Sequence, residues 1–150
     1  MGITQDYISN LSKIKTSLDR VARKIVIDNT DFIIFLLKEK QLHLGMKSSG
    51  AVAGRYAPST PDYIGDNNKP REAKIPGTPY NFDWSGGFVE NLFIKTEKEG
   101  FEILSRDAVQ KILEKNYGKL TALTEKHNKI INEEIILPNL YKYIIESASK

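Results

Sequence analysis

Forty-three consecutive residues, Gly45 to Gly87, hold seven of the ten glycines and five of the six prolines of this 150-residue chain. Apolar periodicity disappears across them, so regular structure is expected only on either side. A loop this long is uncommon inside a compact domain and is usually functional, or ordered only on binding. It carries Lys47, Arg55, Lys69, Arg71 and Lys74 against Asp62, Asp66, Glu72 and Asp83. Aromatic residues interrupt it at Tyr56, Tyr63, Tyr80, Phe82 and Trp84. Arginine and tyrosine suit protein interfaces, and basic and hydroxyl side chains suit nucleic-acid phosphates. Lys47, Arg55, Tyr56, Tyr63, Lys69, Arg71 and Trp84 are therefore the candidate residues for contact with a protein neighbour or DNA.

The flank before this loop opens with Tyr7, Leu11, Ile14, Leu18, Val21 and Ile25, spaced by alternating steps of four and three. That spacing draws one apolar stripe along a helix, predicted over about Thr4–Asp28 and capped by Thr4 or Asp6. Asp28-Asn29-Thr30-Asp31 breaks it with residues that favour turns and caps. Phe32 to Leu37 is apolar on every side, which periodicity alone leaves open between strand and helix; aromatic and isoleucine content favours a strand. A short helical turn over 39–44 is expected to stop at Gly45.

After the loop, Phe88 to Thr96 and Phe101 to Ser105 are β-rich runs joined by Glu97-Lys98-Glu99-Gly100, the pattern of a hairpin. Asp107 can cap a short helix through Tyr117, closed by Gly118. Thr121 or Thr124 can start another, with Leu123, His127, Ile130, Ile131, Ile135 and Leu137 inward. Pro138 should kink or interrupt it before Leu140, Tyr141, Ile144 and Ile145 continue the apolar face. The expected class is α+β in one domain over residues 1–150: a long N-terminal helix, a small antiparallel sheet built on the hairpin, the long loop at 45–87, and a helical C-terminus.

Composition narrows the chemistry. The chain has no cysteine, which excludes disulfides, zinc ribbons and thiol catalysis. His43 and His127 show no metal-ligand spacing, and each reads as a packing residue. Ser85-Gly86-Gly87 lacks the lysine of a phosphate loop, and a strand is expected after it, so it reads as a turn. Glu133 and Glu134 are adjacent and point about 100° apart on a helix, which rules them out as a pair on one face. These observations predict neither catalytic residues, nor a metal, nor a cofactor. The six-residue apolar run is far short of a bilayer span, and Met1 to Asp6 lack the basic start of a secretory signal. The net charge of +3 is too small to point to nucleic acid by itself.

The order of features also carries a resemblance. Gln41-Leu42-His43-Leu44-Gly45 is followed by Gly54-Arg55-Tyr56-Ala57-Pro58-Ser59-Thr60, then by Phe82-Asp83-Trp84-Ser85-Gly86-Gly87-Phe88 before the hairpin. This resembles the small tail-completion or virion-morphogenesis proteins of tailed bacteriophages, especially those of the Bacteroidetes type. Trp84-Ser85-Gly86 stands where that family has Asp-Thr-Gly. The resemblance implies a non-catalytic structural protein of the virion, made in the host cytoplasm and acting at the head–tail joint or tail end. Its implied partners are copies of itself in a ring, other neck, portal or tail proteins, and DNA passing through the channel, with no membrane. On that expectation the 45–87 loop is an arm ordered by neighbours, and deleting 47–80 spares the fold and abolishes assembly. A small nucleic-acid-binding module is the alternative, and a small hydrolase ranks third.

Overall fold

The computed structural model describes residues 2–60 and 74–150, with residues 2–7 and 10 described by their backbone. The fold is α+β, and helices dominate it. Helix α1 spans Gly2–Asp28. Ile14, Ile25 and Val26 on it are buried, whereas Leu11, near the start of the expected stripe, is 40% exposed. Only Asn29 separates α1 from α2 (Thr30–Lys40). The Asn29 side-chain amide joins its own N–H on the Ile25 carbonyl, at 2.8 Å, and the Thr30 hydroxyl donates to that of Ile27 at 2.9 Å, a carbonyl that the helix end leaves open.

The 32–37 run is therefore helical, and the expected strand is corrected. Asp31 in the first turn and Lys38 and Lys40 in the last complement the helix dipole. Ile33, Leu36 and Leu37 fall on one buried face at helical spacing, leaving Phe32 and Phe35 outward at 38% and 43% exposure. A 3-10 turn, Leu42–Leu44, ends at Gly45, which takes the left-handed conformation at φ 74°.

The segment after Ser85 is also corrected. Gly87–Glu90 forms a single helical turn, α3, and the first strand begins only at Leu92. Strands β1 (Leu92–Glu97) and β2 (Gly100–Ser105) pair antiparallel, with Ile94 opposite Ile103 and Lys95 opposite Glu102. Leu92, Ile94, Phe101 and Ile103 face the core formed with Ile33, Leu37, Val89 and Leu120; Phe93 and Leu104 lie on the other face.

Helix α4 (Val109–Tyr117) starts where the Val109 N–H donates to the Asp107 carboxylate at 2.9 Å, as the sequence predicts. Thr124 caps α5 (Glu125–Ile130) by accepting from the His127 N–H. The chain then widens into a π-helical turn, Ile131–Ile136, before α6 (Leu137–Ala148). Pro138 has no N–H to donate and its ring crowds the carbonyl four residues back; the wider turn directly before it relieves that conflict. The added residue rotates the start of α6, so Leu137, expected inward, is 43% exposed. Helix α6 packs on α1, where the Ser17 and Tyr143 hydroxyls meet at 2.6 Å.

The described flanks of the long loop pack within the chain and do not form a free arm. The Tyr56 N–H donates to the Thr78 carbonyl, the Gly77 N–H to that of Tyr56, and the Tyr80 N–H to that of Gly54. A methyl group at Gly45 would stand 2.6 Å from the Tyr80 carbonyl oxygen, so a side chain there would clash with backbone.

Candidate interaction site

The described flanks of the long loop bring Tyr56, Tyr80, Phe82 and Trp84 to one place. Tyr80 sits at the centre, edge-on to Tyr56 at 4.9 Å between ring centroids and tilted against Tyr117 of α4 at 5.3 Å. Phe82 meets Tyr80 at 6.3 Å and Tyr117 at 5.7 Å, both at steep angles. Edge-to-face rings at these separations attract through their quadrupoles as well as by burial. Two glycines permit the approach: beside Gly45, Gly54 lies so close to the Tyr80 ring that a side chain there would collide with it.

Lys74 fixes the loop from beneath. It is 5% exposed, and its ammonium donates to Asn81 Oδ1 and to the Asp83 carbonyl, each at 2.8 Å. The ammonium lies 5.8 Å from the centre of the Tyr56 ring, adding a cation–π contact. The Tyr56 hydroxyl donates to Asn81 Oδ1 at 3.0 Å. Burial pushes the Tyr56 hydroxyl's pKa up, and burial followed by the neighbouring Tyr80 does the same for Tyr117. Both stay neutral at physiological pH and act as apolar rings with a hydroxyl donor.

Around these rings lies an open cavity of about 530 Å³, walled by Tyr56, Tyr80, Phe82, Trp84 and Tyr117, with Asp107 among its polar groups. Its lining is aromatic and apolar with few polar atoms, which is the character of a binding cavity. His43 stands outside it, with Nδ1 2.9 Å from Glu39 and Nε2 3.6 Å from the Asp83 carboxylate. Among the described residues no group of three histidine, aspartate or glutamate side chains is arranged to hold a metal ion, and no helix is long and apolar enough to cross a membrane.

Of the seven candidate residues, the structure brings Tyr56 and Trp84 to the same cavity. Arg55 is elsewhere, its guanidinium donating to the Gly77 carbonyl at 2.9 Å. Lys47 lies by Gly118, at the end of α4. Tyr63, Lys69 and Arg71 lie outside the described residues. Sequence reasoning missed Tyr117 as a member of the site, because it reads as the last residue of a helix. Its one signal is position: an aromatic directly before a helix-ending glycine. Comparison with protein-family models, curated proteins and solved structures finds no match to this chain.

Proposed function

We propose that this protein is a non-catalytic assembly subunit, of the head–tail joining or tail-completion kind that its sequence resembles. The observation that carries the reading is on α6. One face of that helix meets α1, while Leu137, Tyr141 and Ile145 form a second apolar stripe at intervals of four residues. They are 43%, 62% and 65% exposed. An outward apolar stripe at helical spacing is expected where another surface covers it. The aromatic cavity supports the same reading, since tyrosine and tryptophan are favoured anchors at interfaces.

The test is light scattering on the purified chain, alone and mixed with candidate neck, portal and tail proteins, for the wild type and for Tyr141→Asp and Ile145→Asp. Both positions are solvent-facing, so the variants should keep the wild-type circular dichroism and melting temperature. The expected result is a complex or oligomer that the aspartates abolish. A chain that remains monomeric with every partner overturns the reading. Tight binding to DNA that weakens steeply with salt favours the nucleic-acid module in its place.

A further inference from the structure

The aromatic cavity has an acidic side. Its charged lining residues are Asp83 and Asp107, and no lysine or arginine lines it among the described residues. Asp83 is buried, and Lys74, whose ammonium holds the Asp83 carbonyl at 2.8 Å, supplies the opposite charge beside it. Asp107 is placed differently. Its Oδ1 accepts the Val109 N–H at 2.9 Å, and its own N–H donates to the Ser105 hydroxyl at 3.2 Å, so the residue is held in position. Oδ2 lies against Gly87, so close that a side chain there would collide with it. No donor or cation among the described residues reaches Oδ2. Arg106, the neighbour in sequence, is turned onto the Phe93 ring, 5.2 Å from its centre. A fixed carboxylate with one oxygen unengaged thus stands in the wall of a cavity lined mainly by aromatic rings.

We propose that this cavity receives an arginine side chain from a protein neighbour, its guanidinium stacked on the rings and bonded to Asp107. This rests on the assembly reading and names what the site takes. The chemistry of the cavity selects that occupant. The rings attract a cation through their negative faces, and a planar guanidinium also stacks on them. Asp107 Oδ2 accepts a hydrogen bond that is strongest from a charged donor. Val109 and Leu113 give the methylene stem of the side chain an apolar wall. A lysine ammonium brings the charge without the plane, and it is more strongly hydrated. The phosphates of DNA carry the same sign as Asp83 and Asp107, so Tyr56 and Trp84 are poorly placed for nucleic acid. At about 530 Å³ and open to solvent, the cavity admits a side chain from outside without rearrangement.

Trp84 is the only tryptophan of the chain, so its fluorescence reports on the cavity. N-acetyl-arginine amide titrated into the wild-type chain at fixed ionic strength should give a saturable change at millimolar concentration. The citrulline counterpart keeps the shape and loses the charge, and should bind about tenfold more weakly. Asp107→Asn keeps a helix cap, so circular dichroism should be unchanged while arginine binding falls about tenfold. In a complex with a neck, portal or tail partner, the same substitution should weaken association by a similar factor. Equal responses to arginine and citrulline, no saturable response, or full arginine binding by Asp107→Asn overturns the proposal. So does a tighter response to tetramethylammonium, which assigns the cavity to a methylated ammonium, or to inorganic phosphate. Full-strength association of Asp107→Asn with the partner overturns the neighbour as the source of the arginine. The titrations use the isolated chain, so their failure leaves the assembly reading standing, and the α6 variants test that reading separately.

Discussion

Gln41 shows how much a single polar side chain contributes to joining distant parts of this chain. It is fully buried; its amide nitrogen donates to the Ala122 carbonyl at 2.7 Å, and its Oε1 accepts from the Thr124 N–H at 3.0 Å. His127 Nδ1 lies 3.3 Å from the same oxygen, which sets the tautomer that carries its proton there. Gln41→Leu keeps the volume and strands these groups without partners. We expect a loss of about 1–3 kcal/mol, read as a lower urea midpoint at unchanged slope. Glu114 holds a second junction. Burial disfavours its charge, but the N–H groups of Thr121 and Leu120, then the Thr121 hydroxyl and the Gln110 amide, outweigh burial and lower its pKa below 4.5. Burial, then the nearby Lys126, lowers the pKa of His127 below 6.5. Both folded values are depressed, so both contributions are present above the unfolded values and shrink as pH falls. Thermal melts should therefore show stability declining first below pH 6.5 and again below pH 4.5. Glu114→Gln should remove the second decline.

At the scale of elements, the hairpin and the helices are ordinary, and the unusual pieces are the described flanks of the Gly/Pro-rich segment, which pair with each other and pack on Tyr117. Its return path depends on Gly45, which combines a left-handed backbone with a Tyr80 carbonyl too close to admit a side chain. Gly45→Ala should cost about 1–3 kcal/mol from backbone strain, with a further loss if Tyr80 is displaced. Near-ultraviolet circular dichroism checks it, because displacing Tyr80 loosens the ring cluster before the helices melt. The hairpin was legible from β-branched and aromatic runs around a charged turn, and the caps at Asp107 and Thr124 from residue type. Phe32–Leu37 was not, because an all-apolar run has no period. Its helical state depends on which three residues meet the core. Leu137 turned outward because Pro138 forced a wider turn, whose rotation no count of apolar spacings includes.

At the scale of the whole molecule, the described flanks of the long loop are part of the domain. Removing 47–80 takes away Lys74, Tyr80, which packs on Tyr117, and Tyr56, which packs on Tyr80. The expected result is a destabilised chain with a lower melting temperature, and a deletion variant as stable as the wild type would show that the loop is dispensable after all. By itself the sequence determined the long first helix, the hairpin, the helical tail, and the absence of thiol chemistry, because each depends on neighbouring residues or on composition. It also marked Tyr56 and Trp84 as candidates by residue type. Only the tertiary structure decided that they share a cavity with Tyr117, that Arg55 and Lys47 do not join them, and that α6 keeps an uncovered apolar stripe. Those outcomes depend on contacts between residues tens of positions apart, such as Tyr80 against Tyr117 and Gln41 against Thr124. Local spacing carries no record of such contacts; they are set by how the whole chain fills its core.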